Sequence, residues 1–303
     1  MSSFESPNSG AAALVFLILY TVYTVAVIVI VTKLGWKTVY SLLLYYGIVR
    51  FGSQLCGVVY SAIGVEHWQW LIAYLVLGAQ GYFALILAAF RFIIKGQREK
   101  FGHSWLDPSK DKKLQMINLQ NNGLYRFYGR FPPWKIIRLT MIASNILIIY
   151  GGSSVAGKTI EELNADPSTR NTARICRTVG QAMFLCLTLS VIGLSYYSYF
   201  VEKIINNYHI QAVMYSAGFL IVRGIFGLLS IYVSAMDYYD FDNYSQNGLK
   251  PGFVVAEYVM GTTMEFVVGS LFIAAYYYTD YKQNYNVEQK DLESDAENQN
   301  LVK

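Results

Sequence analysis

An all-α fold is predicted: a polytopic membrane helix bundle with seven transmembrane helices, the N-terminus outside and the C-terminus cytoplasmic. Three observations predict it. Seven apolar runs each reach the roughly 20 residues that a helix needs to cross a bilayer. Charged residues make up only 15% of the chain against 54% hydrophobic, where a soluble domain carries about 25% charged residues. Basic residues also collect in alternate loops, the pattern that keeps short loops in the cytoplasm.

The elements follow in order. Residues 1–10 form a short external N-terminus that contains Glu5 and no basic residue. A cleaved secretory signal has a basic start and a shorter apolar stretch, so 11–32 is an uncleaved first span. The second span is 38–62 and the third 69–94. The fourth is 136–157, the fifth 174–200, the sixth 210–234 and the seventh 252–279. Lipid offers the backbone no hydrogen-bond partner, which dictates helix for all seven. Gly47, Gly52, Gly57, Gly78 and Gly81 lie within spans, where a missing side chain lets neighbouring helices approach closely. The membrane domain is therefore 11–279. The tail 280–303 is polar, with Asp291, Glu293, Asp295 and Glu297, and has no apolar periodicity; it is expected to be disordered and cytoplasmic. Ser294, among those acids, fits a phosphorylation site.

The loops set the orientation. Segment 95–135 holds Lys95, Arg98, Lys100, Lys110, Lys112, Lys113, Arg126, Arg130 and Lys135, and Lys33 and Lys37 flank the first turn. Both belong inside. Segment 95–135 also carries Phe101, Trp105, Tyr125, Phe127, Tyr128, Phe131 and Trp134, so it is expected to lie on the cytoplasmic leaflet and to attract anionic lipid headgroups, at about 1 kcal/mol per basic residue. A cytoplasmic partner is the alternative occupant. Loop 158–173 is external and mixed in charge. Loop 235–251, with Asp237, Asp240 and Asp242, is external too and contains Asn243-Tyr244-Ser245, a glycosylation sequon at Asn243. A net charge of +4 is too small to suggest nucleic-acid binding. Localisation is integral and multi-pass, in the plasma membrane or an endomembrane.

Six residues inside the spans carry whatever chemistry there is. Arg50 lies midway along the second span with Gln54 one turn later on the same face. Gln80 is in the third span, Arg223 midway along the sixth, and Glu257 and Glu265 in the seventh. Ionisable groups at membrane depth are costly and mark paths or sites. Arg223 is expected to pair with one glutamate, and Arg50 with the other or with polar groups around Gln80. The alternative is an ion-pair cluster that only fixes helix register. Ile-Val-Arg recurs in spans two and six, and Gly78-Tyr82-Phe83 in span three parallels Gly261-Glu265-Phe266 in span seven. That suggests a parallel repeat of spans one to three as five to seven.

Several functions are set aside. Gly152-Ser153-Ser154-Val155-Ala156-Gly157-Lys158-Thr159 fits the phosphate-cradling loop pattern, but that chemistry needs a strand before it and a helix after it, and here a span-length apolar run precedes it. The seventh span has no Lys for a retinal Schiff base. His67, His103 and His209 lie in loops or at an edge, which leaves no metal site; no cofactor and no enzymatic activity are expected. The usual receptor triplet after span three and a proline in span seven are missing. Cys56, Cys176 and Cys186 read as small apolar residues without a structural disulfide.

Seven spans, an outward N-terminus and a polar inward tail resemble the fungal lipid-translocating exporter and aminocholesterol-resistance family. Tyr150-Gly151-Gly152-Ser153-Ser154 at the fourth-span end, Arg223 and Glu257 carry the likeness. An uncharacterised fungal seven-helix membrane family is similar through Val222-Arg223 with its following aromatic and Met264-Glu265. The resemblance implies transport or translocation of a lipid-like amphiphile through a polar intrahelical site. Two alternatives stand beside it: a receptor-like sensor signalling through 95–135 and the tail, and a non-catalytic membrane-organising protein.

Overall fold

Among the described residues of the computed structural model (7–64, 67–108, 132–155, 162, 166–240, 243–245 and 248–301), seven helices are long and apolar enough to cross a membrane. They are α1 Pro7–Leu34, α2 Tyr40–Ile63, α3 Trp68–Phe101, α4 Pro133–Ser153, α5 Pro167–Phe200, α6 Tyr208–Tyr232 and α7, which starts at Pro251. This is the architecture of a multi-pass membrane protein.

Helix starts follow local chemistry. Proline opens α4, α5 and α7, where its missing N–H costs nothing and its fixed φ suits the first turn. Asp166 caps α5 by accepting from the Thr169 N–H, and Asn207 caps α6 by accepting from the His209 and Ile210 N–H groups. At the other end of α3, Gly102 takes a left-handed φ of 73° and its N–H closes on the Arg98 carbonyl, a conformation that glycine adopts without a Cβ penalty.

The helix limits differ from the expected ones where polar residues still favour helix. α3 runs to Phe101, so 95–101 is helical; of the basic segment, 109–131 lies outside the described residues. α4 stops at Ser153 and not at 157, and α5 begins already at Pro167. α7 continues to Leu301, which replaces the expected disordered tail from 280. No glycine or proline follows Gly269 in that stretch, and its Glu, Lys, Gln and Ala residues are good helix formers.

α3 is the central helix: α2, α4, α5, α6 and α7 all pack against it, while α1 bridges α2 and α7. Ala84, Leu85, Ile86, Ala88, Ala89, Phe90, Phe92 and Ile93 are accordingly all 0% exposed. Peripheral helices turn aliphatic faces outward, as with Leu14, Val15, Ile18, Val22, Val25 and Val29 of α1. A continuous apolar surface of that kind suits lipid and not water. Where α4 meets α5, a Cβ at Gly180 would sit 2.6 Å from the Ile148 Cγ1 and 2.8 Å from the Ser144 carbonyl, so the two backbones touch through the missing side chain.

α7 is irregular. Pro251–Ala256 is α-helical, Glu257–Thr263 is π-helical, and α-helix resumes at Met264. Between α6 and α7 a two-stranded antiparallel hairpin, β1 Tyr244–Ser245 and β2 Gly248–Leu249, pairs Tyr244 with Leu249. Leu249 joins Ala13, Phe253, Val254 and Tyr258 in an apolar cluster that ties this connection to α1.

Gly180→Val is expected to lose about 1–3 kcal/mol by overpacking the α4–α5 contact, while Gly193→Ala, whose Cβ would meet nothing within 4 Å, should melt at or above the wild-type temperature. Thermal melting of both in detergent checks this.

Candidate functional site

Arg50 lies on the α2 face that also buries Gly47, Ser53, Gln54 and Gly57. It can turn inward because α3 opposes it with two glycines one turn apart. A Cβ at Gly81 would stand 2.5 Å from the Arg50 Cδ and 3.0 Å from the Glu265 Oε2, and one at Gly78 would stand 3.3 Å from the Arg50 Nη1. The guanidinium therefore occupies the volume of absent side chains. Its partner is Glu265, whose side chain is 0% exposed. Glu265 Oε2 is 2.9 Å from the Arg50 Nε, and Oε1 accepts a hydrogen bond from the Arg223 Nε at 2.5 Å. The Arg50 N–H is not aimed at its oxygen, so that contact is a charge pair without a directed hydrogen bond.

Aromatic rings complete the cation shells. The Arg50 guanidinium lies 5.6 Å from the Tyr20 ring centre, and that of Arg223 lies 4.8 Å from Tyr82. Such contacts are attractive through the ring quadrupole, more so when desolvated. The Tyr82 hydroxyl pairs with the Thr188 Oγ1 at 2.7 Å, and those of Tyr20 and Tyr46 pair at 3.0 Å.

The two arginines thus share one glutamate, which corrects the expectation of one arginine per glutamate. Glu257, also buried, accepts instead from the Tyr74 hydroxyl. The Tyr238 phenol lies beside it with its pKa well above the ordinary value, through burial first and the Glu257 charge second. Eight residues of ideal α-helix would leave Glu257 and Glu265 about 80° apart around α7 at 3.6 residues per turn. The π-helical turn between them adds a residue, so they behave more like a seven-residue pair, which drifts by only about 20°. Both consequently line the same cavity. The Tyr20 hydroxyl donates to the Thr262 carbonyl within that turn, at 3.3 Å.

Gln54 accepts from the Tyr258 hydroxyl at 3.3 Å. Gln80 does not meet Arg50: its Oε1 accepts from the Asn145 Nδ2 at 2.9 Å and the Tyr45 hydroxyl at 3.4 Å. Gln80 faces α4, which ends the expected Arg50–Gln80 contact. Asn243, the sequon residue, is buried and donates from Nδ2 to the Ser234 and Asp237 carbonyls. In the folded chain the nitrogen that would carry a glycan holds the α6–α7 connection together. Gly152 and Ser153 end a helix with no strand before it, unlike a phosphate-cradling loop; Lys158 lies outside the described residues. Cys56, Cys176 and Cys186 are free, and Cys186 is exposed, outside the expected buried setting.

Arg50, Arg223, Glu257 and Glu265 border a cavity of about 150 Å³, room for several waters or a small organic group. Arg177, Gln181, Tyr74, Tyr238 and Tyr239 form its upper walls. Arg177 pairs with Asp237 at 3.2 Å. Both arginines approach Glu265 through Nε, and the Tyr20 hydroxyl also bonds the Arg50 side chain. A guanidinium has five donors, more than these contacts use, and both groups line the cavity floor. Arg50, Arg177 and Arg223 face Asp237, Glu257 and Glu265 around the cavity, and at its floor two of the cations share the one carboxylate of Glu265. The arrangement can bind an anion; among the described residues no cluster of His, Cys, Asp or Glu is placed to hold a metal.

Sequence reasoning missed Tyr20, Tyr74, Tyr82, Asn145 and the Arg177–Asp237 pair. Asn145, a lone amide in the apolar fourth span, was the visible signal among them.

A family model described as Domain of unknown function (DUF7702) matches residues 126–279, just over half of the chain. The chain belongs to that family. The matched region contains Arg223, Glu257 and Glu265, and Arg50 lies before it. No curated protein and no solved structure matches.

Glu265→Gln leaves two buried guanidinium groups without a counter-charge, and a loss of about 3–5 kcal/mol is expected. Glu257→Gln keeps a carbonyl acceptor for the Tyr74 hydroxyl and should lose no more than about 1–3 kcal/mol. Unfolding of both variants in detergent compares them directly.

Proposed function

We propose that this chain, a member of that family, is a non-enzymatic membrane protein that binds the anionic head of a lipid-like amphiphile between its helices and acts as a receptor-like sensor of it. One observation carries the reading: two arginines share a single carboxylate at the floor of a cavity. An arriving anion competes with Glu265 for both. Because Arg223 is on α6 and Glu265 on α7, displacing their bond would loosen one helix against the other. That gives the ligand differential contacts with two states, which a switch requires.

The receptor-like reading takes further support from what lies beyond the floor. Phe92 stacks on Phe272 at 4.8 Å, and Tyr40 meets Tyr276 at 5.3 Å. With Val268, Leu220 and Val213, all 0% exposed, they fill the bundle. The cavity is blind in this conformation, and ligand capture needs no second opening. Translocation is the second reading. It is favoured by half-buried aliphatics, Ile72, Val76 and Ala79 of α3 with Ile148 and Ile149 of α4, along one cavity wall. An acyl chain fits that apolar seam while the head stays at the arginines. The resemblance to the lipid-translocating exporter family points the same way. Segment 95–135 and the tail would couple the sensor to a cytoplasmic partner.

Octyl phosphate binding to purified protein in nanodiscs tests the shared premise, with octyltrimethylammonium as the cationic control. Wild type should bind the phosphate only, and Arg223→Ala or Arg50→Ala should weaken binding at least tenfold. Unchanged affinity in well-folded arginine variants removes the site. Flip-flop of the probe in proteoliposomes, abolished by Arg223→Ala and Glu265→Ala, would select translocation over sensing.

A further inference from the structure

A second cavity, of about 180 Å³, adjoins the first at the end of the bundle that carries the α1 N-terminus. The two share Arg177, Ile231, Asp237 and Tyr239 in their walls. Arg170, Arg174 and Arg177 line the outer one. At spacings of four and three they fall on one face of α5. This stripe stands in the first turns of its helix, where the macrodipole disfavours cations, so helix stability does not account for it.

Opposite the stripe stand two carboxylates, each already engaged. Asp237 takes Arg177 and also accepts from the Tyr239 N–H at 3.1 Å. Asp240 accepts from the Ser234 hydroxyl. Arg174 and Arg177 are further held against rings, Arg174 at 4.8 Å from Tyr232 and Arg177 at 4.3 Å from Tyr239. Ring contacts fix a guanidinium in place while leaving its edge donors available. Arg170 and Arg174 are exposed, Arg177 half-buried, and Arg50 buried. Cations therefore run from the surface to the floor of the inner cavity.

The α6–α7 connection roofs this path. Asp237, Tyr238 and Tyr239 contribute to the inner cavity wall, and the Tyr239 hydroxyl comes within 2.7 Å of where a Gly152 Cβ would stand. The Arg177–Asp237 pair is a charged contact between α5 and that roof.

We propose that the outer cavity is an anion-receiving vestibule and that the Arg177–Asp237 pair is its exchangeable latch. A carboxylate or phosphate first meets Arg170 and Arg174. It then replaces Asp237 on Arg177, which frees the roof and opens the way to Arg50 and Arg223. The shared chemistry is an anionic oxygen group, from a single-chain amphiphile or from a free ion in water. This step rests on the inner-site reading for its destination, but the vestibule has its own readout.

The experiment is hydrogen exchange of full-length protein in nanodiscs, with inorganic phosphate against chloride at matched ionic strength, followed by octyl phosphate. Phosphate should slow exchange in 170–177 and speed it in 234–240, in wild type and equally in an Arg50→Gln/Arg223→Gln variant. Arg170→Gln/Arg174→Gln should abolish both effects and slow octyl phosphate association at least tenfold, with dissociation unchanged. Asp237→Asn should show the fast-exchanging roof without any anion. No effect of inorganic phosphate or of octyl phosphate on either segment in wild type overturns the vestibule, whatever the inner cavity does. A phosphate effect without any arginine-dependent octyl phosphate binding keeps the vestibule and removes the inner-site reading instead. If only octyl phosphate acts, the anion comes from an amphiphile; if inorganic phosphate acts as strongly, a free ion suffices.

Discussion

Glu265 has both carboxylate oxygens taken by guanidinium nitrogens and no exposed side-chain surface. It stands where α2, α6 and α7 converge on α3, and the placement of each of those helices answers to it. A carboxylate in such a place is tolerated only if paired, and the pairing must offset the cost of desolvating three charged groups. That requirement explains the glycines of α3, since Gly81 leaves the space through which Arg50 reaches the acid. It also explains the tyrosines, because Tyr20 and Tyr82 supply polarisable faces to cations that water no longer solvates.

The π-helical turn in α7 belongs to the same account. Continuous α-helix from Pro251 would carry Glu257 away from the face occupied by Glu265. One extra residue in the turn restores alignment, and the hydroxyl of Tyr20, itself fixed by Tyr46, covers the Thr262 carbonyl there. Such turns recur at functional sites because a side chain is re-aimed without moving the rest of the helix. Here the result is two carboxylates in one cavity with different partners: guanidinium groups for Glu265, phenols for Glu257.

The sequence made the spans legible because hydropathy and length act locally. Lipid gives the backbone one solution, so seven apolar runs became seven helices, although polar helix formers extended α3 and α7 beyond them. It also marked Arg50, Arg223, Glu257 and Glu265, since charge inside an apolar run is conspicuous. The pairing was not legible. Whether Arg50 meets Glu257 or Glu265 depends on the azimuth of α7, and nothing in Glu257–Thr263 announces a π-helical turn. Nor were the tyrosines: with 26 of them in the chain, those that solvate buried charge could not be told from those at the membrane interface. The structural setting of the Asn243 sequon was hidden for a related reason. A three-residue pattern says nothing of what the amide nitrogen meets, and here it donates to two backbone carbonyls.

The two ends of the bundle are built differently, and the difference bears on how the cavity works. At the end opposite the cavity, Glu202 accepts from the Trp105 indole at 2.8 Å and from the Gln97 amide at 3.1 Å. Lys100 reaches the Glu202 and Lys203 carbonyls, and Lys203 holds a positive φ of 54°, a conformation that a residue with a Cβ keeps only when its surroundings impose it. The α5–α6 turn is thereby clamped to the end of α3. Glu202, Gln97, Trp105 and Lys100 satisfy one another there, whereas at the cavity end the charged groups meet across an open space. A bundle clamped at one end and hollow at the other yields first where its packing is incomplete. On the proposed reading, an anion that engages Arg50 and Arg223 would act on the half of α6 and α7 beside the cavity, and the clamped half would carry the change as a tilt about a fixed end.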